Sequence, residues 1–113
     1  MGQLMVVPVT GALPQAELTS RAVEVAELLK TLANRNRLMI VCKLVEGEYA
    51  VGQLEDELGI RQPTLSQQLT ILREAGIVST RREAKQIFYR LTEEKAARLV
   101  AALHTIFCAE EAA

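Results

Sequence analysis

The stretch Val51–Gly76, VGQLEDELGIRQPTLSQQLTILREAG, leaves the chain few folds to adopt. It reads as two short helices joined by a tight turn. Leu54 and Leu58 give the first helix an apolar edge at i, i+4, and Gly59 stands where a left-handed residue would end it. The link Gly59-Ile60-Arg61-Gln62 has the length and the glycine of a helix-turn-helix connection. Pro63 falls in the first turn of the next helix, where a missing N–H costs little. In that helix Leu65, Leu69 and Leu72 recur at i, i+4, i+7 and must face a core. At about 100° per residue, Gln67 and Thr70 lie on the opposite side, flanked by Thr64 and Ser66. This outward face is short, polar and uncharged until Arg73. Such side chains hydrogen-bond base edges in a major groove, whereas an ordinary solvated face carries more Glu and Lys.

A length of 113 residues is that of one domain. Apolar residues make up 50% and aromatics only 4%, so the core is aliphatic and suited to helices. The net charge of −1 argues against a nucleic-acid partner until its distribution is considered. Residues 61–90 hold six basic side chains (Arg61, Arg73, Arg81, Arg82, Lys85, Arg90) against Glu74 and Glu83, while both flanking segments are net acidic. The local field is what meets phosphate, and it is positive where the second helix and its continuation lie. The cysteines, Cys42 and Cys108, are too few for a secreted disulfide framework. The start MGQLMVVPVTGALP lacks a basic segment and is interrupted by Pro8 and Pro14, a poor signal peptide; Val6 stands where a myristoylation signal needs Ser or Thr. No apolar run approaches the roughly 20 residues of a membrane span. A soluble, cytoplasmic protein without a membrane partner is expected.

Residues 1–15 read as a flexible arm, and 16–113 as one binding and dimerisation domain. A first helix is predicted over Gln15–Ala33, with Leu18, Ala22, Val25, Ala26, Leu29 and Leu32 on a broad apolar band. Asn34 is a plausible N-cap for a second helix over Arg35–Glu46, closed by Gly47, with Leu38, Val41 and Val45 inward and Cys42 beside them. After the helix-turn-helix, IVSTRREAKQIFYRL (77–91) loses the helical period. Ile87, Tyr89 and Leu91 alternate with Phe88 and Arg90, the mark of a strand. The segment reads as a hairpin with a basic tip near Arg82–Lys85, which after a helix-turn-helix suits a wing touching phosphate or minor groove. Thr92, followed by Glu94, caps a last helix running to about Cys108. Its stripes Leu99, Leu103, Ile106 and Ala96, Val100, Phe107 exceed what one small body can cover. Apolar excess on both terminal helices points to pairing with a second chain. The expected fold is mainly α, a winged helix-turn-helix of five helices with a two-stranded wing, dimeric through its first and last helices.

This order of elements, together with three blocks, resembles the arsenic-repressor (ArsR/SmtB) family of bacterial winged-helix regulators over roughly residues 17–108. The blocks are LANRNRLMI (32–40), QPTLSQQLTILREAGIV (62–78) and RREAKQIFYRL (81–91). The resemblance implies a homodimer that represses a promoter by binding double-stranded DNA at an imperfect inverted repeat. Carried over residue by residue, it gives a contact helix Gln62–Arg73 with Thr64, Ser66, Gln67, Gln68 and Thr70 nearest the DNA. Arg81, Arg82 and Lys85 would be wing contacts. Two departures stand out: Arg61 replaces a common capping Ser, and Ala84 replaces a common wing-tip Gly.

Many such regulators sense metals, but Ala50 and Gly52 stand where one common site has its thiolates. The last helix carries His104 alone, with no Asp. Three or four ligands are needed, so neither a metal nor another cofactor is expected, and His104 reads as structural. Free cysteine is ordinarily a small buried hydrophobe. Persulfide-sensing members of the family, however, resemble this chain in a cysteine on the second helix and another near the end of the last. That implies a redox switch in which persulfides, polysulfides or oxidants bridge Cys42 and Cys108 and DNA is released. Three alternatives remain open: a metal or metalloid inducer taken by the same two thiols, a winged-helix module that binds protein, and a thiol enzyme. The last has little support, because neither cysteine sits at a helix N-terminus.

Overall fold

The computed structural model describes residues 15–109. The expected arm lies outside the described residues except for Gln15, which opens the first helix. Where one long helix is predicted, there are two, α1 (Gln15–Ser20) and α2 (Ala22–Leu32). The break has a local cause. The Ser20 hydroxyl donates back to the Glu17 carbonyl at 2.8 Å, and the Arg21 N–H reaches only to Leu18, at 3.1 Å, so the ladder tightens and the chain bends. Leu32 of α2 enters the core, while most of the α1–α2 band stays in solvent.

Helix α3 (Arg35–Leu44) starts as expected: the Asn34 side chain accepts from the N–H groups of Asn36 and Arg37 at 3.0 and 3.1 Å. It ends at Leu44, short of Glu46. Its buried residues are Ile40, Val41 and Leu44, whereas Leu38 is half-buried and Val45 exposed. The expected stripe was too narrow. Helix α3 packs against four other elements besides α2, so its buried arc is wide and is centred on the Ile40–Val41 side.

The remaining elements are β1 (Tyr49–Ala50), α4 (Val51–Leu58), α5 (Thr64–Glu74), β2 (Val78–Glu83), β3 (Gln86–Leu91) and α6 (Glu94–His104). A wide π-type turn, Thr105–Ala109, follows α6. Gly59 ends α4 with φ +68, the left-handed cap that the sequence requires. Ala50 cannot cap α4, but the Gln53 side chain reaches back to the Ala50 N–H at 2.8 Å. Pro63 sits just before α5 rather than inside it. Thr92 is not the cap of α6: its hydroxyl donates to the Gly76 carbonyl at 3.3 Å, and the Glu93 carboxylate accepts from the Lys95 N–H at 3.0 Å instead.

The expected two-stranded wing is part of a three-stranded antiparallel sheet in the order β1-β3-β2. Tyr49 pairs with Tyr89 and Ala50 with Phe88, which ties the wing to the start of α4. Ile40, Val41, Leu54, Leu65, Leu69 and Leu72 are the largest fully buried side chains, so α3, α4 and α5 share one aliphatic core. The architecture is a winged helix-turn-helix. Among the described residues, no helix is long and apolar enough to cross a membrane.

The wing turn joins Glu83 to Gln86 through Ala84 and Lys85, and Ala84 takes φ +56. A left-handed conformation costs an L-residue about 1–2 kcal/mol, of which glycine's greater unfolded-state entropy returns roughly half. Ala84→Gly is therefore expected to stabilise the protein by about 0.5–1 kcal/mol. The measurement is the urea midpoint at fixed protein concentration; an unchanged or lowered midpoint contradicts it.

Candidate nucleic-acid interface and thiol pair

Helix α5 turns Leu65, Leu69 and Leu72 into the core and leaves Ser66, Gln67 and Thr70 exposed on the other side. Thr64 and Gln68 are half-buried at its flanks, and Arg73 is exposed at its end. Gln62 precedes the helix. Its carboxamide oxygen accepts from the Ser66 backbone N–H at 3.2 Å and from the Ser66 hydroxyl. Gln62 thus supplies the cap that Arg61 cannot, satisfying one of the four free N–H groups of the first turn. Gln68 turns toward α3, where its oxygen accepts from Arg37 at 2.7 Å. Two features of this surface escaped the sequence pattern. Arg37 braces α5 from behind, and Ile71, 40% exposed, adds an apolar patch to the outward face. Ile71 falls off the i, i+4, i+7 leucine stripe, and that was the available signal.

The basic residues divide into two groups. Arg82 and Lys85 are exposed at the wing tip, and Arg61 and Arg73 flank α5; none has an ion pair among the described residues. Arg81 is different. Its guanidinium meets Glu48 at 2.7 Å and Glu83 at 2.8 Å, and lies 4.6 Å from the centre of the Phe88 ring. These acids hold the guanidinium still more firmly protonated, and the Arg81 hydrogen bond in turn keeps Glu48 below the usual carboxylate range. Arg81 fastens the wing to the loop before β1.

Both cysteines are free thiols. Cys42 is half-buried on α3 against the core, and Cys108 is exposed in the turn after α6. Burial pushes the Cys42 thiol up, and Cys108 adds to the effect. Beside Cys42 opens a cleft of about 390 Å³ between the end of α3 and the end of α6, walled by Val45, Val100 and Ala101 and reached by His104. Among the described residues, no group of three or more His, Cys, Asp or Glu side chains is gathered closely enough to hold a metal ion.

A family model described as bacterial regulatory protein, arsR family, matches residues 34–80. The chain is 66% identical to the biofilm growth-associated repressor of Agrobacterium fabrum over 101 residues, 89% of this chain and 86% of that one. The crystal structure of the transcriptional repressor BigR from Xylella fastidiosa superposes with a TM-score of 0.83 at 66% identity, covering 85% of this chain and 98% of the other. A homodimeric winged helix-turn-helix DNA-binding domain from Mycobacterium bovis superposes with a TM-score of 0.65 at 33% identity, covering 88% and 89%. By these matches the chain belongs to the arsR family of bacterial regulatory proteins, a family of transcriptional regulators and not of enzymes.

Proposed function

We propose that this regulator is a homodimeric repressor whose two α5 helices enter successive major grooves of an inverted-repeat operator, and that bridging of Cys42 and Cys108 releases it. The observation that carries the DNA reading is the face of α5: Ser66, Gln67 and Thr70 outward, with Arg61, Arg73, Arg82 and Lys85, which form no ion pair among the described residues, around them. Polar uncharged groups ringed by free cations match base edges ringed by phosphates. Thr64, Gln62 and Gln68 complete the contact helix from its flanks, and residues 16–113 act as one unit. Dimerisation is supported by the apolar side chains Leu18, Val23, Leu29, Ile106 and Phe107, all more than half exposed or at the half-way mark. The related Mycobacterium bovis domain is described as homodimeric. Two recognition helices on one side of the duplex stand about 34 Å apart.

The thiol reading rests on the chemistry of the pair. Exposed Cys108 is the sulfur that an organic persulfide or polysulfide meets first. Its thiolate attacks the terminal sulfane sulfur and takes it up, expelling a thiol from an organic persulfide or a chain one sulfur shorter from an inorganic polysulfide. The Cys42 thiolate then attacks the Cys108 persulfide at the sulfur bonded to Cβ, forming the S–S bond and releasing hydrosulfide. Two thiols are oxidised and the sulfane sulfur is reduced.

The test is a fluorescence anisotropy titration of a duplex from upstream of the protein's own gene, in reductant, in polysulfide and in zinc. Binding in reductant that is lost in polysulfide and recovered on reduction is the expected result. Release by zinc alone favours the metal-responsive alternative. No salt-dependent binding in any condition favours a protein-binding module and removes the proposal.

Arg81 provides a prediction within this reading. Glu48→Gln frees half of its ion pairing, and a guanidinium on the wing then becomes available to phosphate. The variant is expected to bind DNA more tightly, with the slope of log K against log salt steeper by up to about 0.9. An unchanged slope means that Arg81 remains fastened by Glu83.

A further inference from the structure

Internal hydrogen bonds commit one half of the Ser66, Gln68 and Thr70 side chains of α5, so these three do not offer DNA both a donor and an acceptor. A guanidinium has N–H donors only, so the atom of Gln68 that meets Arg37 at 2.7 Å is its carbonyl oxygen, and the amide nitrogen is turned away. Arg37 is itself held from behind, its Nε donating to the Thr31 carbonyl at 2.6 Å. None of the described hydrogen bonds uses the Gln68 nitrogen, and no described side-chain N or O is buried without a partner, so that nitrogen reaches solvent.

The same logic runs along the helix. The Ser66 backbone N–H, which can only donate, fixes Gln62 with its oxygen inward at 3.2 Å. The Ser66 hydroxyl gives its single proton to that oxygen, and the Thr70 hydroxyl gives its proton to the Ser66 carbonyl at 2.9 Å. Both hydroxyls are left as acceptors. Gln67, exposed and outside these bonds, retains the free use of both halves of its amide.

We propose that α5 presents a preset donor–acceptor pattern in which Arg37 makes Gln68 a one-sided donor reading a keto oxygen, guanine O6 or thymine O4, while Gln67 alone reads adenine two-sidedly. This rests on α5 being the DNA-reading helix. A two-sided adenine contact needs an amide oxygen for N6–H and an amide N–H for N7. Gln67 offers both to the groove, whereas the Gln68 oxygen is turned to Arg37 on α3. Arg37 touches no base and is a positioning residue.

The experiment is selection from a randomised duplex pool with reduced, full-length protein, followed by anisotropy on single-base variants. Gln68→Glu keeps the size and the Arg37 partnership but replaces the outward NH2 by oxygen. One base pair per half-site is then expected to invert from a keto base to cytosine or adenine, with a preference of about fivefold or more. Arg37→Met releases the amide, so adenine becomes accepted at that same base pair, and Arg37→Lys, still a donor, restores the original preference. If Arg37→Met fails to fold, Gln68→Glu decides alone. The proposal is overturned if Gln68→Glu weakens all duplexes equally, which would mark a phosphate contact, or if folded Arg37→Met changes no base preference. If the reduced wild-type protein selects no sequence, the underlying DNA reading has failed, and this is visible before any variant is made.

Discussion

Serine in place of either Cys42 or Cys108 is expected to abolish polysulfide-driven release while leaving operator affinity in reductant within about twofold, since neither thiol lies on α5 or the wing. The wild-type protein should lose about 100-fold in affinity, which needs only about 2.7 kcal/mol of difference between binding-competent and incompetent dimers. The bridge must act through the folded forms, since the loop of about 67 residues that it closes costs only the unfolded chain its entropy, roughly 4 kcal/mol in the simple model. The sulfurs are free here, with Cys108 facing solvent, and a bridge fixes them about 2 Å apart. A bridge would fasten the turn Thr105–Ala109 to α3. Phe107, one residue before Cys108, is part of the exposed apolar face, so the thiol chemistry and the proposed dimer surface share one turn. Bridge formation should also accelerate with pH. Burial holds Cys42 protonated beyond the ordinary thiol range, so its thiolate fraction rises about tenfold per pH unit across neutrality without levelling off. Anisotropy with each serine variant, with and without polysulfide, decides the matter; release of both variants places the switch elsewhere.

The helix-turn-helix was legible because its determinants are local. Leu54 with Leu58, Gly59, and Leu65-Leu69-Leu72 act within one or two turns of chain, and each reaches the expected environment, although Leu58 is only half-buried. The wing was legible by the same argument, since alternation over Gln86–Leu91 needs no distant partner. What escaped depends on neighbours far along the chain. Strand β1 is two residues long, too short to show a period, and exists because Tyr89 and Phe88 pair with it. Counting charges marks Arg81 as a phosphate ligand, but Glu48, 33 residues earlier, holds it. Gln68 looked like its neighbour Gln67 until Arg37, 31 residues away, took its oxygen. Periodicity shows which way a side chain faces, and only the folded chain shows what it has already bonded.

A glutamate at Leu29 or at Phe107 is expected to turn the protein into a folded monomer and to cost operator binding about 100-fold or more. Leu29 is 50% exposed on α2, Phe107 is 66% exposed after α6, and Val23, 78% exposed, lies on the same helix as Leu29. Large apolar groups this open rarely persist on a solitary soluble body. Burying each is worth about 1.5–3 kcal/mol, and in a twofold interface every substitution is counted twice. A carboxylate there must also be desolvated without a partner, which adds several kcal/mol against association. Stability of the separate subunit should hardly change, because both positions already face water. The loss in DNA binding follows from linkage rather than contact. When two half-sites are read by tethered subunits, the second engages at an effective concentration near millimolar, and separating the subunits forfeits about 10²–10⁴ in avidity. Both positions lie outside α5 and the wing, so affinity for an isolated half-site should be preserved. Light scattering reports the mass, and anisotropy on full and half operators reports the binding. A dimer that survives both substitutions, or a monomer that still holds the full operator at wild-type strength, would show that the two α5 helices are not brought together by the terminal helices.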